Sequence, residues 1–167
     1  MKVYAYVSRE LYNEVLFKGR VYPILGISCS ACSDKVYKAY ERRFKKQAFF
    51  AWDKEMCETS YGDNTPFVYL ELELPKGIYK LTNYFNWTDL IMVYDMYNRD
   101  GEPSDDELKN ILNINGFLEL NSFRNIDQLW DDIYQIDRDD TNQVMYDYLD
   151  KSFIKRAIGV NEPVVTI

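Results

Sequence analysis

Histidine is absent from all 167 residues, and several chemistries go with it. A Ser-His-Asp or Cys-His nucleophile system, a histidine general base and every zinc site that needs imidazole are excluded. Any chemistry must rest on carboxylates, tyrosines, cysteines or a bound group. No apolar run approaches the ~20 residues needed to cross a bilayer. The N-terminal MKVYAYVSRELYNEV also lacks the uninterrupted apolar stretch of a secretory signal. The seven glycines are scattered singly, so there is no glycine-rich phosphate loop, and neither an internal repeat nor a low-complexity tract is present. Three cysteines, an odd number in a chain large enough to do without staples, suit a reducing compartment. These absences predict a soluble, cytoplasmic protein with no membrane association, no metal and no cofactor.

What is present is apolar and aromatic: 47% of residues are hydrophobic and 16% are Phe, Trp or Tyr. That suffices for one core, and the expectation is a single globular domain over residues 1–167. Fifteen tyrosines are the main excess. A tyrosine buries its ring and keeps a polar tip, which suits half-buried strands and cores first and partner surfaces second. Charge is unevenly spread. Residues 1–62 hold 11 Lys and Arg against 7 Asp and Glu, whereas residues 63–167 hold 9 against 20, so the two stretches stand at +4 and −11. From Asp100 to Asp150, 14 acids face only Lys109, Arg124 and Arg138. Such a block repels nucleic acid or imitates it.

Patterning places the elements. Val3, Ala5 and Val7 alternate with Lys2, Tyr4 and Tyr6, as in a half-buried strand over 2–7. Ser8 as N-cap, Leu11 and Val15 four apart, and Gly19 after the last turn mark a helix from Arg9 to Lys18. Arg20–Ile27, broken by Pro23 and Gly26, reads as an extended edge or loop. Ser33 and Asp34 open a helix with Val36, Tyr40 and Phe44 on one face. Lys35, Lys38, Arg42, Arg43, Lys45 and Lys46 crowd the rest of it, a solvated back or a surface for phosphate or an acidic partner. Residues 47–52 read as an aromatic strand and Glu55–Thr65 as a loop. Phe67–Leu74 then alternates, one face toward a core and the other toward water. Pro75-Lys76-Gly77 turns the chain into a strand over 78–82. A helix capped by Asn83 or Asn86 then runs to about Tyr97, burying Leu90, Val93, Tyr94 and Tyr97. Ser104 and Glu107 form a capping box for a helix over Asp105–Asn113. Ile126–Tyr134 reads as a short helix and residues 143–149 as a strand. Asp150 is placed to cap a last helix over Lys151–Ile158 ended by Gly159, and Val164–Ile167 to add an edge strand. The predicted fold is α+β, a mainly antiparallel sheet with packed helices.

Candidate chemistry is sparse. Cys29-Ser30-Ala31-Cys32 has the spacing of a dithiol at a helix N-terminus, where the dipole favours a thiolate. This supports a C-x-x-C oxidoreductase alternative built on Cys29 and Cys32. The zinc version has only Cys29, Cys32 and Cys57 as ligands and lacks a fourth. Acid pairs such as Asp105-Asp106, Asp131-Asp132 and Asp139-Asp140 are adjacent in sequence, and neighbours on a helix do not share a face. A nucleotide-using enzyme built on Gln143, Glu71, Glu73 or Arg9, strand-borne residues able to converge in a cleft, remains the other catalytic alternative.

The segments AYERRFKKQAFFAWDKE (39–55) and VYLELELPKGIYKLTNYFNWTDLI (68–91), with the later LWDDIYQID and QVMYDYLDKSFIKRAI, resemble an uncharacterised family of small bacterial and phage proteins. Its members share a helix before a Trp-bearing strand, an LEVP-like strand and turn, and an LSDF-like motif. The resemblance covers about two-thirds of the chain by pattern matching and implies a phage or mobile-element origin and, at the level of fold, an ADP-ribosyltransferase-like likeness. Lacking catalytic signatures, the chain is expected to be a non-enzymatic interaction protein, a counter-defence inhibitor of a host nucleic-acid-binding protein. The expected partner is a basic protein, bound through Asp105, Asp106, Glu107, Asp131, Asp132, Tyr134, Asp137, Asp139 and Asp140.

Overall fold

A computed structural model of the chain describes residues 1–24, 34–55, 67–114, 123–136 and 142–160. The elements are β1 (Lys2–Ser8), α1 (Arg9–Lys18), β2 (Arg20–Val21), α2 (Asp34–Phe44), β3 (Phe49–Trp52), β4 (Phe67–Glu73), β5 (Tyr79–Asn83), α3 (Tyr84–Tyr97), α4 (Asp105–Ile114), α5 (Ile126–Asp132), β6 (Asn142–Tyr146), β7 (Leu149–Asp150) and β8 (Ile154–Val160). The protein is an α+β fold. Six strands form one sheet in the order β5-β6-β3-β1-β4-β8, and β2 pairs with β7 apart from it. The registered pairings are all antiparallel. By contact the chain gathers into two compact units, one of residues 1–30, 47–81 and 141–167, the other of residues 31–46 and 82–140.

The first unit is built around β1, which pairs along its whole length with β4 and also pairs with β3. Because side chains alternate across a strand, register puts Val3, Ala5 and Val7 beside Leu72, Leu70 and Val68 on one face. Phe49, Ala51, Val144 and Tyr146 continue that face, and Leu11 and Val15 of α1 pack on it. The start of α1 is set by Ser8, whose Oγ accepts the Leu11 N–H at 3.1 Å. Its end is set by Gly19 at φ 81°, where a side chain would be strained.

The opposite face departs from expectation. The strand pattern predicts that Phe67 and Tyr69 meet water, yet Tyr69 is 1% exposed and Phe67, Tyr4 and Tyr6 are buried with it. Their rings pack on one another, Tyr6 edge-on to Phe67 at 5.2 Å and Tyr4 stacked on Tyr69 at 6.1 Å. Tyrosine satisfies the alternation rule as a polar residue while behaving as an aromatic core residue. Only Lys2, Glu71 and Glu73, toward the far end of this face, keep to the water-facing reading, with Lys2 and Glu71 paired at 2.8 Å.

The final helix is a correction. Asp150 does cap, accepting the Ser152 N–H at 3.0 Å, but the helix it starts is a single 3₁₀ turn, Lys151–Phe153. Ile154–Val160 then forms β8 along β4, with Gly159 opposite Val68 inside the strand rather than ending a helix. The unpaired edge of β4 supplies a full ladder of backbone partners, which outweighs the weak helical propensity of a segment holding two isoleucines and a glycine. The strand over 143–149 is likewise shorter than read, ending at Tyr146 before the chain bends into β7. The Glu55–Thr65 loop, apart from Glu55, and the Val164–Ile167 strand lie outside the described residues.

Leu70, fully buried at the centre of β4, tests this packing. Leu70→Ala is expected to lower the unfolding free energy by roughly 2–5 kcal/mol in urea denaturation; a loss below about 1 kcal/mol would contradict a tightly packed face at this position.

Candidate functional site

The second unit carries most of the acidic residues, and its framework is aromatic. Asn83 caps α3 by accepting the N–H groups of Phe85 and Asn86 at 2.9 and 3.2 Å. Helix α3 buries Trp87, Leu90, Val93 and Tyr94, while Tyr97, expected on this stripe, is only half-buried. Asn125 and Gln128 close a capping box at the start of α5, which buries Leu129 and Trp130. Trp87 and Trp130 meet edge to face at 6.0 Å and 90°, and Tyr40 of α2 packs on both at 6.1 and 6.3 Å. Both indole donors are satisfied: Trp87 Nε1 donates to Thr82 Oγ1 at 2.8 Å and Trp130 Nε1 to the Tyr94 hydroxyl at 3.2 Å.

Around this core the expected acidic surface divides. Asp105 and Asp106 are exposed in the first turn of α4, where the helix dipole favours them. Glu107 is engaged: it accepts from the Ser104 backbone N–H and hydroxyl at 2.9 and 2.8 Å, which hold its carboxyl below the usual range, and it pairs with Arg99 at 3.1 Å. Asp132 is also engaged, by Arg124 at 2.7 Å and by the Gln135 amide at 2.7 Å, while Arg124 reaches Asp89 at 2.9 Å with its other amino group. Asp131 is exposed and carries no ion pair among the described residues. Asp137, Asp139 and Asp140 lie outside the described residues, as do Cys29 and Cys32.

Three hydrogen bonds fold the end of α5 back onto the start of α3. The Asn83 N–H donates to Ile133 O at 2.7 Å, its side-chain amide to Gln135 O at 3.2 Å, and the Asn86 amide to Asp132 O at 2.7 Å. They set residues 83–86 against residues 132–135, and in and beside these two segments Phe85, Tyr134 and Ile136 are 56%, 37% and 38% exposed. Partial burial raises the Tyr134 phenol pKa, and the nearby Asp131 charge adds to the shift. Phe85 and Ile136 were not picked out by sequence: periodicity marks a residue as off the buried stripe and does not tell which exposed residues will meet.

The charge reading also changes. Helix α2, from the basic stretch, belongs to the acidic unit, which holds ten Lys and Arg against sixteen Asp and Glu, a net of −6; the other unit stands at −1. Arg43 shows the consequence, bridging Glu102 at 3.2 Å and Asp127. Of the candidates for the nucleotide alternative, Gln143 and Glu71 fall in one row across the sheet, through Trp52 and Tyr4, and Arg9 falls elsewhere. Gln143 is buried opposite Trp52 in the row that also holds Tyr4, whereas Arg9 follows Ser8, roughly 13 Å further along β1 at ~3.3 Å per residue. The Arg9 guanidinium lies 5.7 Å from the Tyr12 ring centre. Among the described residues no group of three or more acids or thiols is placed to hold a metal ion, and no helix is long and apolar enough to cross a membrane. In the first unit, Leu16, Phe17, Tyr22 and Ile24 are exposed, Phe17 at 90%. The chain matches no protein-family model, and no curated protein or solved structure matches it.

The aromatic framework carries a pH prediction. Burial raises the Tyr94 phenol to about 12, a shift that the Trp130 hydrogen bond opposes, and burial raises Tyr146 as well. In the unfolded chain both ionise near their ordinary value of about 10, so above that pH the unfolded state binds fewer protons than the folded state. Stability is therefore full below pH ~10 and falls as pH rises toward ~12. Urea midpoints measured across this range should drop, and Tyr94→Phe should show a shallower decline from a lower starting stability, since Trp130 Nε1 loses its acceptor. An identical slope in the two proteins would rule out Tyr94 as a source.

Proposed function

We propose that this is a small, non-enzymatic interaction protein that binds a basic protein partner through the surface formed where α5 returns to α3. The observation that carries the reading is the pairing of segments 83–86 and 132–135, which carry exposed Phe85 and Tyr134, with Ile136 next in the chain and Asp131, which forms no ion pair among the described residues, just before. Apolar and aromatic anchors with a charged rim are the usual makeup of a binding hot spot. The net charge of −6 in this unit selects a cationic partner and accelerates its approach. A host nucleic-acid-binding protein fits this chemistry, its cationic surface being complementary. A counter-defence inhibitor, the role expected from the charge asymmetry, the tyrosine excess and the lack of catalytic motifs, would bind this way, and the phage or mobile-element origin is what the sequence resemblance implies.

In pull-down from a relevant host, the expected partner is basic, with affinity that falls steeply as salt is raised. Asp131→Lys combined with Tyr134→Ala should weaken its binding at least tenfold while leaving the urea midpoint nearly unchanged. Salt-insensitive binding, or binding that the double substitution leaves intact, would refute the assignment.

A further inference from the structure

We propose that a cavity of about 340 Å³ in the second unit, lined by Lys35, Lys38, Arg42, Tyr94, Asn98 and Arg99 together with Asp100, binds a diphosphate group. Lys35, Lys38 and Arg42 stand at i, i+3 and i+7 of α2, so they share one helical face. The helix also buries Val36, Tyr37 and Tyr40, and Tyr40 rests on Trp87 and Trp130. The basic face is therefore held on a fixed backbone.

What distinguishes these three cations is that no ion pair holds them among the described residues, although Asp100 shares their cavity. Among the described residues the acidic unit engages its other arginines with carboxylates: Arg43 with Glu102 and Asp127, Arg124 with Asp89 and Asp132, Arg99 with Glu107. Among the described residues, Lys35, Lys38 and Arg42 form no ion pair. Lys35 instead donates to Asn98 Oδ1 at 2.7 Å and to Asp95 O at 3.4 Å, which fixes its ammonium at the C-terminus of α3. Asn98 takes the left-handed conformation there, φ 49°, and so places its side chain as the acceptor. Arg42 reaches Gly101 O at 3.4 Å, a long contact that leaves its other donors available. Lys38, between them, has neither ion pair nor hydrogen bond among the described residues.

With Arg99 paired to Glu107, the three cations Lys35, Lys38 and Arg42 against the one acid Asp100 leave this wall at about +2 in a unit of net −6. Uncompensated like charges brought together destabilise the fold unless an anion offsets them. The cavity volume lies at the small end of the range for small-molecule sites, ~300–1,000 Å³. A single phosphate would fill little of it and would not engage donors spread over two turns of α2. A diphosphate carries about three negative charges near neutral pH and presents oxygens at two centres, opposite in sign to the wall and matching the spread of its donors. The same group occurs free as pyrophosphate and as the tail of a nucleoside diphosphate.

Calorimetric titration with inorganic pyrophosphate should give a dissociation constant at least tenfold lower than sulfate at equal ionic strength. Lys38→Ala and Arg42→Ala should each weaken it about tenfold, and Lys151→Ala, in the other unit, should leave it unchanged. Urea midpoints of all three proteins separate lost binding from lost folding. A nucleoside diphosphate that binds as tightly as pyrophosphate identifies the diphosphate itself as the ligand, and tighter binding identifies a nucleotide source. Pyrophosphate binding no tighter than sulfate, equal weakening by Lys151→Ala, or displacement of pyrophosphate by a much tighter-binding oligonucleotide would each overturn the proposal. These outcomes are independent of the protein partner, since the readout uses neither Asp131 nor Tyr134.

Discussion

The edge-to-face contact of Trp87 with Trp130 is the interaction on which the second unit depends. It joins α3 to α5, and Tyr40 brings α2 against both. Two tryptophans can sit fully buried only because each indole N–H has an acceptor, Thr82 Oγ1 for one and the Tyr94 hydroxyl for the other. A buried donor left without a partner would cost a large part of what the rings contribute by leaving water, ~1–3 kcal/mol. Thr82, at the end of β5, and Tyr94, in the last turns of α3, are therefore as much part of the core as the rings they serve.

Both surface features of this unit inherit their geometry from that cluster. With Trp130 fixed, the end of α5 returns to the start of α3 through the Asn83 and Asn86 side chains, in segments that also carry exposed apolar residues. With Tyr40 fixed, α2 turns its basic face toward the C-terminus of α3, where Lys35 finds Asn98. One aromatic core thus supports an acidic, apolar surface and a separate cationic recess. The contrast between them is sharper than the chain's overall charge of −7 conveys.

The first unit rests on a different constraint, the backbone demand of a central strand. β1 is paired at both edges, by β3 and β4, and its two faces are buried as well, tyrosine occupying the face that alternation marks as polar. The same demand explains β8. The edge of β4 required a partner strand, and Ile154–Val160 provided one in spite of the helix-capping aspartate before it. In each case local preference gave way to a requirement set by residues distant in sequence.

Elements governed by local chemistry were legible in the sequence. The Ser8 cap and Gly19 stop bounded α1, the Ser104–Glu107 box opened α4, Asn83 capped α3, and alternation located β1 and β4, because each signal lies within a few residues of what it specifies. Sequence also determined the exclusion of imidazole chemistry and the excess of acid. The expected acidic surface was legible only as composition. Tertiary structure decided that Glu107 and Asp132 are occupied by arginines, that Asp131 has no ion pair among the described residues, and that the segment holding Phe85 lies against the one holding Tyr134. It also moved the basic α2 into the acidic unit. The physical reason is that capping and alternation act over a few residues of chain, whereas ion pairing and surface convergence depend on distances through space that only the packed core sets.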